Sequence, residues 1–259
     1  MNIVVCIKQV PDTAAKIVVE NGEVTWGDAP LVMNPWDEYA VEAALRQSEE
    51  HGGDVTAISM GGESSKEALK SALAMGCKQA ILISDPALEK ADNRVTAHVL
   101  AGAIRKVGEV DLAVFGRQAI DDDMGVTPAM AARELGWPIL SLVSDVQSLD
   151  PDQGTIKVAR SVEEGRQIVE SRLPAVMTVG KDIGEPRYPS FMGIRKASRA
   201  TIPVWSLSDL GISSTDPVVN RLEMKNPPVR EVTTEIITGD SPEEVAQKLA
   251  DAILGEKVL

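Results

Sequence analysis

Short apolar runs alternate with helical patterns through the first half of the chain. Four continuous apolar runs predict buried strands at residues 3–7, 55–60, 80–84 and 112–116. Between them, apolar residues recur at the spacing of an α-helix over residues 36–50, 65–75 and 95–107. Strands that alternate with helices of this length indicate βαβ crossovers. The pattern therefore predicts an α/β fold with a Rossmann-like, mainly parallel sheet flanked by helices.

Several of the predicted helices begin with capping signals. Asn34 precedes Pro35, and these residue types favour the N-cap and the first helical position. Residues 64–67 have the sequence Ser-Ser-Lys-Glu, which predicts a capping box. Thr127 and Pro128 predict a further helix that ends near residue 135.

The pattern changes after residue 138. Strands are predicted at residues 139–146, 155–160, 167–171 and 175–179. Polar turns between the first of these strands favour an antiparallel pairing. Residues 180–228 are irregular and rich in Pro and Gly, so we expect an arm that lies on a partner. An amphipathic helix follows to about residue 254. The predicted organisation is an α/β domain over residues 1–180 and a C-terminal arm and helix over residues 181–259.

Composition narrows the class of protein. The chain has 259 residues, a formal net charge of -13 and only 3% aromatic residues, so nucleic acid and anionic membrane surfaces are poor partners. The sequence opens as a strand without a signal-peptide pattern, and no apolar run reaches the roughly 18 residues of a membrane span. We therefore expect a cytoplasmic protein without membrane insertion. Cys6 and Cys77 are predicted to be reduced and buried, and His51 and His98 show no metal-ligand spacing.

A ligand of a parallel sheet binds beyond the carboxyl ends of its strands. That rule selects four segments at strand ends or helix starts, at residues 6–12, 34–37, 60–62 and 116–127. Helix N-termini favour phosphate because they offer unpaired N–H groups. No G-x-G-x-x-G motif follows the first strand, and there is no Gly-Lys-Ser loop. A nucleotide would therefore be held in another way.

The acidic run at residues 121–123 has two interpretations. In one, the acids cap the following helix or face solvent. In the other, main-chain N–H groups of this loop bind a phosphate, while a carboxylate accepts a hydrogen bond from a ribose hydroxyl or fixes the loop. Composition alone does not separate the two.

Residues 158–178 resemble the signature of the electron-transfer flavoprotein β subunit. Their sequence, VARSVEEGRQIVESRLPAVMT, contains a basic residue, an acidic turn with Gly, a Gln, and a Pro before an apolar strand. Further segments agree in order along the chain, at residues 8–12, 34–36, 72–76, 116–121 and 185–188. The resemblance covers nearly the whole chain.

The resemblance implies a subunit that binds AMP structurally and helps to enclose the FAD held mainly by an α subunit. It implies no catalytic residue. Trp36 and Thr13 match positions near the flavin ring. Matched residue by residue, the implied nucleotide site is lined by Cys6, Asn34, Pro35, Trp36, Asp37, Met60, Gly116, Arg117, Gln118, Ala119, Ile120, Asp121, Asp122, Asp123, Met124, Gly125, Val126 and Thr127.

The family's recognition loop matches a segment near residues 187–196, where Phe191 takes the position of an apolar anchor that enters a pocket on a partner dehydrogenase. Alternatively, Phe191 folds into the core of its own chain. The basic residues of this segment pair with acids on the partner or are solvated. The implied recognition residues are Tyr188, Phe191, Met192, Ile194, Arg195 and Lys196.

Two functions follow from the resemblance. In the first, the heterodimer carries electrons from flavin dehydrogenases, such as the acyl-CoA dehydrogenases of fatty acid oxidation, to a quinone oxidoreductase of the respiratory chain. In the alternative, an electron-bifurcating flavoprotein holds a second FAD in place of AMP and uses NADH as donor. Trp137, Pro138 and Thr127 favour the AMP type, although Gly125–Pro128 lacks a Gln that many relatives carry. A nucleotide sensor that acts alone would leave the arm and Phe191 without a purpose.

Overall fold

The computed structural model describes residues 1–213, 215–229 and 233–256. Its α-helices are α1 (Pro35–His51), α2 (Lys66–Met75), α3 (Asn93–Val107), α4 (Thr127–Leu135), α5 (Phe191–Ala197) and α6 (Pro242–Gly255). Its strands are β1 (Asn2–Cys6), β2 (Gln9–Pro11), β3 (Val18–Glu20), β4 (Glu23–Thr25), β5 (Leu31–Met33), β6 (Asp54–Met60), β7 (Gln79–Ile83), β8 (Leu112–Gly116), β9 (Ile139–Asp150), β10 (Thr155–Val162), β11 (Gly165–Arg172), β12 (Ala175–Val179) and β13 (Val204–Trp205).

Within these residues, a nine-stranded sheet has the order β11-β10-β9-β12-β8-β1-β6-β7-β13. Neighbouring strands are parallel in the part of the sheet with the order β9-β12-β8-β1-β6-β7-β13. Beyond it, β10 pairs antiparallel with β9, and β11 pairs antiparallel with β10. The predicted α/β fold is confirmed. From β1 the chain builds β6 and β7 on one side and then crosses to β8 on the other. This reversal of strand order opens a crevice at the carboxyl ends of β1 and β8.

The core forms two layers because successive residues of a strand face opposite sides of the sheet. Ile3 and Val5 pack in one layer with residues of α1 and α2, such as Val41 and Leu69. Val4 faces the other layer, which α3 and α4 cover. Aliphatic side chains fill both layers, as the low aromatic content predicts.

The predicted capping box at the start of α2 is wrong. A 3₁₀ turn over Glu63–Ser65 runs directly into the helix, so Ser64 lies inside the turn and Ser65 takes the N-cap position of α2, where its side chain accepts no capping hydrogen bond within the described chain. The sequence pattern did not register this turn, because a single 3₁₀ turn has no periodicity of its own.

The prediction of an irregular arm over residues 180–228 is also partly wrong. Helix α5 packs against α2, and β13 pairs with β7 at the edge of the large sheet. An element of seven residues and another of two are too short for a hydrophobic period to reveal them. Two small antiparallel pairs, β2 with β5 and β3 with β4, were missed for the same reason.

The chain divides into two compact units, one from Met1 to Met224 and one that begins at Lys225. The second unit contains α6, whose N-cap Ser241 accepts a hydrogen bond from the Glu244 N–H at 3.2 Å. The boundary near residue 180 and the role of the arm stay predictions. In the described part of the chain, no helix has the length and apolar character needed to cross a membrane.

Candidate functional site

The candidate site lies in the crevice between β1 and β8, where Cys6 is the register partner of Phe115. Three segments meet there: the residues after β1, the first turn of α1, and the loop between β8 and α4. Contacts described below join each segment to the other two. The predicted segments at residues 6–12, 34–37 and 116–127 therefore come together.

Asn34 connects the two strand ends. Its side chain is buried, its Nδ2 donates to the Gln118 carbonyl at 2.9 Å, and its Oδ1 accepts from the Ile120 N–H at 3.2 Å. Its own N–H donates to the Lys8 carbonyl at 2.8 Å. Asn34 is the N-cap residue of α1 by position, but its side chain holds the loop after β8 rather than capping the helix. The sequence predicted Asn34 as the N-cap of this helix, and the structure gives its side chain a different contact.

Asp37 lies buried beneath the crevice. Its Oδ2 accepts a hydrogen bond from the Lys8 N–H at 2.7 Å. Burial raises the pKa of Asp37 to about 7, and hydrogen bonds from Lys8, Asn34 and Gly116 oppose that rise by stabilising the charged carboxylate. The same burial, with the charge of Asp37, raises the pKa of the Cys6 thiol. Asp37 therefore holds the end of β1 against the end of β8.

Gly116 permits this close approach. A Cβ atom at this position would overlap Asp37 Oδ1 and lie 2.7 Å from the carbonyl carbon of Trp36. Real Cβ atoms do not come this near to backbone, so any larger residue would push α1 away from β8. The glycine at the end of β8 is therefore a requirement of the site.

Trp36 and Arg117 border the crevice. The Arg117 guanidinium lies 5.7 Å from the centroid of the Trp36 ring, within the range of a cation–π contact. The Tyr39 ring lies 6.3 Å from Trp36 on the same helix. Arg117 Nε also donates to Gln118 Oε1 at 2.8 Å. An aromatic surface with an adjacent cation suits a planar ring system and a charged phosphate.

The acidic run does not cap the following helix, so that part of the first interpretation is wrong. Lys8 Nζ lies 2.8 Å from Asp121 and 3.5 Å from Asp122, and the Gln118 amide donates to Asp123. The acids are held by groups of the crevice itself. Sequence reasoning missed this role of Lys8, because Lys8 and the acidic run are far apart in the sequence and only the fold brings them together.

The remaining predicted residues surround this centre. Met60 lies at the end of β6, and Gln9 Nε2 donates to the Ser64 carbonyl at 2.9 Å, which ties the segment after β1 to the turn after β6. Met124 is exposed and Gly125 has a φ of 63° in the loop that leads to α4. Thr13 is exposed between β2 and β3.

The implied recognition segment is partly helical. Its exposed apolar residues are Tyr188 at 96%, Phe191 at 79% and Met192 at 68% relative exposure. The alternative in which Phe191 folds into its own core is therefore wrong. Ile194, Arg195 and Lys196 are also exposed on α5. The part of these residues in recognition stays a prediction.

Comparison with known proteins gives a family. The family model described as "Electron transfer flavoprotein domain" matches residues 27–210. The Caffeyl-CoA reductase-Etf complex subunit CarD of Acetobacterium woodii is 36% identical over 266 residues, which cover 100% of both chains. The electron transfer flavoprotein subunit beta of Clostridium acetobutylicum is 35% identical over 92% of this chain and 97% of its own. That of Bacillus subtilis is 34% identical over 99% of this chain and 98% of its own.

The chain belongs to the electron transfer flavoprotein family, and its similarity to the beta subunits extends over nearly its whole length. The predicted resemblance is confirmed. This family consists of electron carriers associated with flavin. Membership in it does not agree with the hypothesis of a nucleotide sensor that acts alone.

Proposed function

We propose that the chain is the β subunit of a heterodimeric electron carrier and binds an adenine nucleotide in the crevice between β1 and β8. The observation that carries this proposal is the convergence of Asn34, Asp37 and Gly116, which fixes the start of α1 against the loop after β8. This is the position where doubly wound folds bind nucleotides. The subunit contributes binding and positioning, and the bound FAD supplies the redox chemistry.

The groups around the crevice fit an adenylate. Lys8 and Arg117 provide positive charge, and the loop that leads to α4 ends at a helix start, which suits a phosphate. Asp121 and Asp122 are then placed to accept from ribose hydroxyls while Lys8 offsets their charge. The site would thus use side chains and loop N–H groups in place of a glycine-rich motif.

The partners follow from the same proposal. The α subunit holds most of the FAD, and the segment from residue 225 onward with helix α6 contacts that subunit. The exposed apolar residues of the segment around Phe191 dock a flavin dehydrogenase, of which the acyl-CoA dehydrogenases are the first candidates. Electrons leave toward a quinone oxidoreductase. Docking through an exposed aromatic anchor agrees with the composition of protein interfaces.

A second candidate is an electron-bifurcating subunit with a second FAD in the crevice and NADH as donor. It is favoured by the similarity to CarD of Acetobacterium woodii, which is named as part of a reductase-Etf complex and matches over both full lengths. The same crevice would hold the adenylate half of the second FAD, so the two candidates share their binding residues.

Counting the ligands separates the two candidates. The chain is co-expressed with its α subunit, the heterodimer is purified and denatured, and released FAD and AMP are quantified. One FAD and one AMP per heterodimer support the first candidate, and two FAD without AMP support the second. One FAD with no second nucleotide would refute binding in the crevice.

A variant locates the nucleotide. Gly116→Ala places a methyl group where α1 meets β8, so we expect loss of the AMP, or of the second FAD, with the remaining FAD retained. Asp152→Ala serves as the control, because the Asp152 side chain is exposed in the turn between β9 and β10. Retention of every ligand by the Gly116→Ala heterodimer would contradict the assigned site.

A further inference from the structure

The exposed apolar side chains of Tyr188, Phe191, Met192 and Ile194 form a surface, which we call the recognition surface. Side chains of this kind lose conformational freedom when a partner binds, and that loss weakens binding unless they are already held. The backbone beneath the recognition surface is held at two points, one on α1 and one on α2.

Arg187 makes the first attachment. Its Nε donates to Glu42 Oε2 at 2.7 Å, its Nη2 donates to Glu42 Oε1 at 3.2 Å, and its N–H donates to Glu42 Oε2 at 3.1 Å. The same guanidinium donates to both oxygens of Glu49. Glu42 and Glu49 lie two turns apart on α1, and Glu42 is buried. Such a forked, charge-assisted arrangement fixes direction as well as distance.

Arg46 reinforces this attachment from between the two glutamates. Its Nε donates to Glu42 Oε1 at 2.7 Å, and its terminal nitrogens donate to the carbonyls of Ile183 and Glu185 at 3.3 and 3.1 Å. The backbone that leads into the recognition surface is therefore bonded to α1 at three alternate residues, Ile183, Glu185 and Arg187.

Gly193 makes the second attachment. A Cβ at this position would overlap the Ala74 carbonyl oxygen of α2, so α5 lies directly on that helix. Ser190 Oγ accepts from the Gly193 N–H at 3.0 Å and begins α5, and Ala197 near its end is buried. Tyr188, Phe191 and Met192 lie in the short stretch between the two attachments, and Ile194 directly follows the second.

We propose that Arg187 is a positioning residue for electron-donor docking: through Glu42 and Glu49 it holds the recognition surface in its docking conformation before the donor arrives. This inference rests on the proposed function, in which the surface docks a dehydrogenase. The hydrogen bonds to Glu49 and Glu42 also raise the pKa of Arg187, so the attachment keeps its charge at any physiological pH. Loss of Arg187 removes the attachment nearest to Tyr188 and loosens the surface, and docking then has to order it.

The test uses the co-expressed heterodimer and butyryl-CoA dehydrogenase reduced with butyryl-CoA. Initial rates of flavin reduction are measured against dehydrogenase concentration for the wild type and for the Arg187→Gln, Arg187→Lys and Phe191→Ala variants. Lys157→Gln, which breaks a cross-strand surface ion pair with Glu170, is the matched control. Hydrogen exchange over residues 188–197 is followed in the same proteins.

For Arg187→Gln we expect the half-saturating dehydrogenase concentration to rise about three- to tenfold, which is within the range that ordering one freed side chain gives, with the maximal rate and flavin content unchanged. Exchange at the Ile194 amide, which bonds to the Ser190 carbonyl at 2.9 Å, should quicken. The half-saturating concentration of Arg187→Lys should lie between those of the wild type and Arg187→Gln, because a lysine keeps the charge but cannot form the forked hydrogen bonds of a guanidinium. The Lys157→Gln control should match the wild type.

Removal of Arg187 alone leaves the buried Glu42 with less compensation and destabilises the fold. The double variant Glu42→Gln with Arg187→Gln removes the buried charge together with its partner. If the double variant regains thermal stability but keeps the raised half-saturating concentration, positioning is separated from folding. If it regains both stability and wild-type kinetics, the inference is wrong.

The remaining outcomes separate this inference from the proposed function. Unchanged kinetics in Phe191→Ala would remove the recognition surface from the proposed function. Slow reduction in Phe191→Ala with wild-type kinetics and exchange in Arg187→Gln would overturn the positioning role alone. If the wild type is not reduced by this dehydrogenase, that donor class is wrong, and unchanged exchange in Arg187→Gln still overturns the attachment.

Discussion

Asp37 offers the sharpest test of how the crevice is built. The Asp37→Asn substitution keeps the size and shape of the side chain but removes its ionisation. The side chain is buried, and its Oδ2 accepts from the Lys8 N–H at 2.7 Å. A neutral amide can keep that hydrogen bond through its oxygen. The amide loses the hydrogen bond that the Gly116 backbone donates to the Asp37 carboxylate. That bond contributes about 1 kcal/mol at all pH values.

The size of the expected change in the free energy of unfolding follows from the pKa of Asp37. Burial raises this pKa from 3.8 to about 7, with hydrogen bonds from Lys8, Asn34 and Gly116 opposing the rise. That difference between the folded and unfolded chain corresponds to about 4 kcal/mol of free energy. It is a large fraction of the stability of a typical domain.

The direction in which stability changes with pH follows from proton binding. Because the folded pKa is the higher one, the folded chain keeps a proton that the unfolded chain releases between the pKa of 3.8 and about 7. The free energy of unfolding therefore falls as pH rises through this window, and the lost stability stays constant above it. The Asp37→Asn variant has no such proton, so its curve lacks this fall.

Urea unfolding of the full chain, followed by the fluorescence of its four tryptophans, measures the effect. Between about pH 4 and about pH 8, the stability of Asp37→Asn relative to the wild type should increase by about 4 kcal/mol. Asp152→Asn, in the exposed turn between β9 and β10, should give a curve parallel to the wild type. A difference between Asp37→Asn and wild type that does not change with pH would refute the reasoning.

Two further predictions concern how the chain after residue 200 is attached to the sheet. Asp85 Oδ2 accepts from the Leu207 N–H at 3.2 Å, so Asp85→Ala should destabilise the chain by about 1 kcal/mol and speed hydrogen exchange at Leu207. Asp92 accepts from the Val95 N–H at 2.9 Å as the N-cap of α3 and from the Val218 N–H at 2.7 Å. Asp92→Ala should cost about 1–2 kcal/mol in urea unfolding and expose the Val218 amide to exchange, and protection at Val218 equal to wild type would contradict the second contact.

The sequence predicted the long elements well because burial controls them. Strand β12 and helix α4 have the predicted bounds, Ala175–Val179 and Thr127–Leu135, since an apolar run and a Thr-Pro start leave few alternatives. Strand β13 is different. Only two residues pair with β7, and their pairing depends on the free edge of a sheet built more than a hundred residues earlier. Local pattern carries no information about such a contact.

The candidate site was predictable in outline and not in its contacts. The rule for parallel sheets selected loops that do come together, because any strand order of this kind brings those ends to one edge of the sheet. It could not show that Asn34 would bond to Ile120 rather than to its own helix, or that Lys8 would pair with Asp121. Those pairings depend on which loops face each other across the crevice, and this is fixed only when β8 lies beside β1.

Helix α1 connects the two surfaces of the proposed function. Asn34 and Asp37 at its start fix the crevice, while Glu42 and Glu49 further along hold Arg187. Asp37 and Glu49 are separated by roughly 18 Å of helix at 1.5 Å per residue. A helix packed along the sheet does not transmit the loss of a side-chain contact at one end as a displacement at the other. Arg187→Gln should therefore slow donor docking without releasing the nucleotide, and nucleotide loss in that variant would show that the two surfaces are not independent.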